Sequence, residues 1–171
     1  MLIVNTGNGK GKTTAAIGQV IRALGHGQKV CLIQLFKGID FYGEQFILKK
    51  LKNLEFRSFA PKHPYCFGNR GHEAAKIECL KALKFVKKLA KGRKIYDLVV
   101  LDEFNIALRE GYIKLKVLLE ILKELSLKSN VIITGRCAPR LLISSADLVT
   151  EMKEVKHPFN KGIRAEKGIE F

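Results

Sequence analysis

Short apolar runs along the chain alternate with stretches whose apolar residues recur every third or fourth position. Residues 2–5 form a first apolar run, and after a glycine-rich turn Ala15, Ala16, Ile17, Val20, Ile21, Ala23 and Leu24 follow at helical spacing. Gly25-His26-Gly27 stops that helix, and residues 29–35 read as a second buried strand. A helix over about 43–51 and a strand over about 54–59 come next. Residues 60–72 hold two prolines, two glycines and several aromatics, which is a functional loop rather than a regular element. From 73 to 91 the apolar positions Ile77, Leu80, Leu83, Val86 and Ala90 predict the longest helix, with one buried stripe and lysines opposite. Residues 96–101 and 130–134 read as buried strands, 115–125 as a helix, 139–144 as a short helix and 146–155 as a last strand. A basic, glycine-punctuated tail runs to Phe171. Apolar strands alternating with amphipathic helices predict one α/β domain over 1–171, a mainly parallel sheet with helices on both faces.

Composition adds direction but no identity. With 171 residues, 47% of them hydrophobic, the chain can build a core without disulfide or metal staples. Its 31 Lys and Arg exceed its 16 Asp and Glu by 15, which favours anionic partners. Much of that surplus is lysine on one helix (Lys81, Lys84, Lys87, Lys88, Lys91), where a solvated face accounts for it. Cys31, Cys66, Cys79 and Cys137 form no C-x-x-C pair and read as reduced thiols. His63, Cys66, His72 and Cys79 have ligand chemistry, yet their spacing matches no standard zinc pair. No run is long enough to span a bilayer and no leader pattern precedes residue 2, so a soluble cytoplasmic protein without membrane contact is expected.

The chemistry sits at the first turn. Thr6-Gly7-Asn8-Gly9-Lys10-Gly11-Lys12-Thr13-Thr14 lies between a strand and a helix. There, backbone N–H groups and the helix dipole converge on phosphate oxygens, Lys12 adds charge and Thr13 offers a Mg²⁺ ligand. Thr6 stands where the usual phosphate-loop pattern has its leading glycine. Residues 99–101 lead into Asp102-Glu103, carboxylates at the end of a buried strand, as a metal-holding partner strand requires. The two features together predict a P-loop NTPase domain of the recombinase-like type, with its ligand in the crevice at the strand ends.

Beyond the loop, nearly the whole chain resembles the P-loop ATP:corrinoid adenosyltransferases. The phosphate loop, including Thr6, is similar to that family's version. Gln34, Lys37-Gly38, Gly43-Glu44, Leu101-Asp102-Glu103 and the 131–136 segment sit as in its later motifs. The tail, from Ala146-Asp147-Leu148 through Lys156-His157-Pro158-Phe159 to Gly168-Ile169-Glu170-Phe171, resembles its C-terminus almost throughout. The resemblance implies transfer of the 5′-deoxyadenosyl group of ATP to the cobalt(I) of cobalamin, cobinamide or cobyrinic acid a,c-diamide, with triphosphate released.

It implies ATP contacts from Gly7, Asn8, Gly9, Lys10, Gly11, Lys12, Thr13, Thr14 and Arg136, with Lys12 and Thr13 as the catalytic pair. Mg²⁺ or Mn²⁺ would be held by Thr13, Asp102 and Glu103. A homodimer and a flavodoxin-like reductant are implied as partners. The family's glycine-aromatic-Thr-Trp segment is absent and the chain has no Trp, so Tyr65 and Phe67 are the candidates for packing under the corrin. Some relatives carry a covering segment before the first strand, and none is expected here. The residues by themselves also accommodate a recombinase-like nucleic-acid-stimulated ATPase, a small-molecule kinase or a nucleotide-binding regulator.

Overall fold

The computed structural model describes residues 1–38, 40–60, 62–63 and 71–171. Six strands, β1 (Leu2–Thr6), β2 (Val30–Leu35), β3 (Leu54–Phe59), β4 (Leu98–Asp102), β5 (Asn130–Thr134) and β6 (Leu148–Glu151), form one sheet. Their order is β3-β2-β4-β5-β1-β6, with every pairing parallel. The helices are α1 (Lys12–Gly25), α2 (Gly43–Leu48), α3 (Gly71–Lys91), α4 (Phe104–Arg109), α5 (Leu115–Ser126) and α6 (Arg140–Ser144), and Pro158–Lys161 adds a 3-10 turn.

Alternation within the strands explains the apolar runs. Cys31, Ile33, Leu35, Val99 and Leu101 point to the face covered by α3, α4 and α5. Val30, Leu32, Leu98 and Val100 point to the face covered by α1 and by Leu48 of α2. A strand buried on both faces has no polar phase, and so β2 and β4 are buried at every position.

The longest helix differs from expectation in its buried stripe. Ile77 and Leu80 are 48% and 45% exposed. The buried residues are Ala75, Cys79, Ala82, Leu83, Val86, Leu89 and Ala90. Small side chains at 75, 79 and 82 let the helix approach closely, which rotates the larger residues at 77 and 80 outward. The lysines of this helix stay in water, as expected. The six-residue helix α4, which starts one residue after β4, has no counterpart in the predicted elements. The last strand is shorter than the predicted 146–155, and it is exposed at all four positions because only β1 pairs with it. No helix among the described residues is long and apolar enough to cross a membrane.

One polar cluster ties the β3 edge to β4. The Glu55 carboxylate accepts hydrogen bonds from Lys94 (2.7 Å), Arg57 (2.9 Å) and the Tyr96 hydroxyl. Burial alone would raise the Glu55 pKa, but these donors pull it down to about 2 from 4.5. A depressed carboxyl pKa stabilises the fold above the unfolded value and loses that contribution as pH falls towards the folded one. Glu55→Gln should therefore flatten the acid limb of a stability–pH profile between about 4.5 and 2. The wild type should lose at most about a factor of ten more in folding constant per pH unit there. Chemical denaturation across that range reads the difference, and parallel acid limbs would refute the assignment.

Candidate active site

All six strands run the same way, so their carboxyl ends line one rim of the sheet. Each of the five strands other than β6 leaves that rim through a left-handed residue. These are Gly7 (φ 96°), Phe36 (59°), Ala60 (49°), Glu103 (64°) and Gly135 (126°). For the three non-glycine residues such a conformation costs of order 1–3 kcal/mol and persists where the surroundings impose it. The strain is concentrated at the rim that carries the chemistry.

A cavity of about 710 Å³ opens there. Gly9, Lys10, Gly11, Lys12, Thr13, Thr14, Glu103 and Arg136, all expected at the site, line it. Gly7 and Asn8 lie outside its lining, with Asn8 exposed. The Lys12 ammonium donates to the Gly9 carbonyl at 2.6 Å. Burial lowers its pKa, with Arg136 acting the same way, while Glu103 and Asp102 oppose them.

Thr6 has a positive reason to replace glycine. Its hydroxyl accepts the Ala138 N–H at 3.2 Å and its carbonyl accepts the Met152 N–H at 2.8 Å. The Met152 carbonyl in turn accepts the Gly9 N–H at 2.7 Å, so the phosphate loop is moulded on the chain that leaves β6.

Asp102 is fully buried and is saturated by its neighbours. Oδ1 accepts from the hydroxyls of Thr13 (2.9 Å) and Thr134 (2.6 Å). Oδ2 accepts from Gln34 Nε2 (3.1 Å) and lies 3.4 Å from the Lys37 ammonium. The strand register places these groups: Gln34 pairs opposite Asp102, and Thr134 follows Ile133 on the other flank. Thr134 also accepts the Glu103 N–H at 3.0 Å, which fixes the left-handed turn and aims Glu103 into the cavity. Burial and then Asp102 push the Glu103 carboxyl up to about 7.

These groups suit a hard cation. The Thr13 hydroxyl donates its hydrogen bond to Asp102, which leaves its lone pairs facing outward, and Glu103 adds a second oxygen on the cavity side. Mg²⁺ keeps several waters and needs only one or two protein oxygens.

The site also holds residues that the resemblance named without a role, and Asn105, which it did not name. Lys37 is buried at the end of β2, 3.2 Å from Glu44 and 5.0 Å above the Tyr42 ring. Burial would lower its pKa, but Asp102, Glu44 and Glu103 outweigh that and raise it. Asn105 donates to the Gly135 carbonyl at 3.0 Å behind Arg136. The tail reaches the same cavity, with Lys10 donating to the Ile169 carbonyl (2.5 Å) and to Glu170 (3.0 Å). Phe171 stacks on Phe41 at 5.1 Å, and His157 is part of the lining. A basic residue inside a phosphate loop and an acidic residue in a distant tail were the available signals for that contact.

The described members of the loose His and Cys group are not brought together as a metal site. Cys79 lies in the core, where burial pushes its thiol up to about 12. His72 Nδ1 meets the Tyr112 hydroxyl at 2.5 Å, and the His63 ring lies edge-on to Phe36. Among the described residues no three His, Cys, Asp or Glu side chains are grouped to hold a metal, and Cys66 falls outside those residues. Tyr65 and Phe67, the candidates for contact with the corrin, also lie outside them.

Comparison with solved structures supports the fold. The flagellar accessory protein FlaH from Methanocaldococcus jannaschii superimposes with a TM-score of 0.57 at 15% identity, covering 88% of this chain and 69% of that one. The KaiC-like protein PH0186 from Pyrococcus horikoshii gives 0.54 at 18% identity, covering 91% and 72%. By sequence the chain is similar to corrinoid adenosyltransferases along its whole length. It is 40% identical to that of Pseudomonas aeruginosa, 38% to that of a Sinorhizobium species and 37% to that of Escherichia coli. It spans 83%, 80% and 85% of those proteins respectively. With its phosphate loop, acidic strand and tail meeting in one cavity, and a family match over residues 1–171, this chain belongs to the ATP:corrinoid adenosyltransferase family BtuR/CobO/CobP.

Proposed function

We infer that the chain transfers the 5′-deoxyadenosyl group of ATP to the cobalt(I) of a corrinoid such as cobalamin, cobinamide or cobyrinic acid a,c-diamide. The observation that carries this reading is the whole-length family match together with a cavity lined by the phosphate loop. The cobalt(I) electron pair attacks C5′, the C5′–O5′ bond breaks, and its electrons leave on triphosphate as cobalt becomes formally trivalent.

No proton has to be removed from such a nucleophile, so catalysis rests on stabilising the departing charge. Lys10, Lys12, Lys37, Arg109 and Arg136 line the cavity against Glu44, Glu103 and Glu170. We assign Lys12, Arg136 and the amides of the phosphate loop to the triphosphate. Thr13 and Glu103 would hold Mg²⁺ or Mn²⁺, with Asp102 orienting the Thr13 hydroxyl. When bound, the cation would supply further neutralisation of the phosphate oxygens. Contact with the lower face of the corrin is assigned to Tyr65 and Phe67, and the homodimer and flavodoxin-like reductant to its partners, on the family resemblance.

The test is an anaerobic mixture of protein, Mg·ATP and chemically reduced cobalamin, followed by visible spectrum and phosphate product. A light-sensitive alkyl-cobalt spectrum with one triphosphate per turnover is expected. Release of ADP and orthophosphate, raised by DNA or RNA and indifferent to corrinoid, would overturn the reading.

A further inference from the structure

Behind the cavity lies a chain of hydrogen bonds that the reaction just described does not use. Gln34 and Gln45 are fully buried and neither lines the cavity. The Asp40 N–H donates to Gln45 Oε1 at 2.9 Å, Gln45 Nε2 to Gln34 Oε1 at 3.2 Å, and Gln34 Nε2 to Asp102 Oδ2 at 3.1 Å. The direction of this chain is fixed at both ends. A backbone N–H only donates and a carboxylate only accepts, so neither amide can flip without setting donor against donor or acceptor against acceptor. Asp102 then passes the constraint to the Thr13 hydroxyl.

The same loop reaches Asp102 by a second route, through Lys37. The loop and the start of α2 also supply a cavity wall, with Lys37, Tyr42, Gly43 and Glu44. Two fully buried amides, Gln34 in β2 and Gln45 in α2, carry a desolvation cost that apolar side chains would avoid. What they add is a rigid, polarised link between that wall and the carboxylate that orients Thr13.

We propose that Gln34 and Gln45 are positioning residues that couple the cavity wall of Lys37, Tyr42, Gly43 and Glu44 to cation-dependent nucleotide binding at Thr13 and Asp102. The proposal rests on the reading of Thr13 and Glu103 as the cation-holding pair. With Asp102 locked by the relay, the Thr13 hydroxyl keeps its lone pairs on the cavity side. With the relay cut, Asp102 keeps Thr134 and Lys37 but loses the fixed amide on Oδ2, and its hold on the Thr13 hydroxyl is loosened.

The test is the affinity of full-length protein for ATP by calorimetry, once with Mg²⁺ and once with EDTA. In the wild type Mg²⁺ should tighten binding. Gln45→Met, which keeps volume and removes both amide functions, should shrink that gain by about tenfold, the scale of other outer-shell losses, with EDTA affinity little changed. A purely structural role would weaken both affinities alike, and an unchanged ratio overturns the proposal. Absence of any Mg²⁺ gain in the wild type overturns the reading of Thr13 and Glu103, and the relay with it.

Should Gln45→Met not fold, the wild type decides through NMR exchange of the Asp40 amide hydrogen. Slower exchange with Mg·ATP than with ATP and EDTA supports the coupling, and equal exchange in the two overturns it.

Discussion

Lys12→Ala should lower kcat/KM for adenosyl transfer by about a thousandfold or more, the loss expected when a preorganised partner of the developing charge is removed. The fold should survive. The Lys12 ammonium is buried, and its hydrogen bond goes to a neutral carbonyl, that of Gly9. Burial lowers its pKa, so the folded chain bears a desolvation cost at this side chain. Alanine removes one charged-donor hydrogen bond, worth about 1.5–3 kcal/mol, and relieves that desolvation cost at the same time. The melting temperature should therefore move by no more than about 4 °C. The alkyl-cobalt spectrum, a thermal melt and calorimetric binding of inorganic triphosphate together read the result. Triphosphate should bind far more weakly, because charge on the leaving group is what Lys12 is proposed to meet. Near-normal turnover in this variant would remove Lys12 from the mechanism.

Lys12 and Thr13 were legible in the sequence because a phosphate loop is local. Its strand, glycines, lysine and helix are consecutive, and each is required by the same geometry. Asp102 was legible as an acidic residue ending an apolar run, but its surroundings were not. Its partners Gln34, Thr134 and Thr13 come from three separate segments. The order β2-β4-β5-β1 makes them neighbours, and hydropathy does not encode strand order. The Lys10 contact with Ile169 and Glu170 was hidden for the same reason, joining positions 159 and 160 residues apart.

The first two positions of the α3 stripe failed for a different cause, while Leu83, Val86 and Ala90 are buried as expected. Reading weighted Ile77 and Leu80 by their hydrophobicity, whereas the packing selected Ala75 and Cys79 for their size. The positive charge proves to be divided. The α3 lysines are exposed, while Lys12 and Lys37 are buried at the sheet rim. A net charge of +15 therefore states little about the partner until its members are placed.

Among the described glycines, Gly7→Ala should be the most damaging alanine substitution. Gly7 has φ 96°, and a Cβ there would stand 2.3 Å from the Met152 carbonyl oxygen. Backbone cannot yield as a flexible side chain does. That same carbonyl accepts the Gly9 N–H, and the Met152 N–H donates to Thr6, so displacing Met152 breaks the bonds that shape the phosphate loop. Strain and clash together should cost about 3 kcal/mol, which for a domain of this size lowers the melting temperature by about 6–12 °C. Nucleotide affinity should fall further than stability alone requires, because the tail following Met152 carries His157 and the 168–171 wall of the cavity. Gly18→Ala is the matching control. It lies within α1 with open space around the new methyl, and it should gain about 0.5–1 kcal/mol. Calorimetric melting with ATP titration separates the two glycines. A Gly7→Ala protein that melts within about 1 °C of wild type and binds ATP equally well would show that the loop is not moulded on Met152.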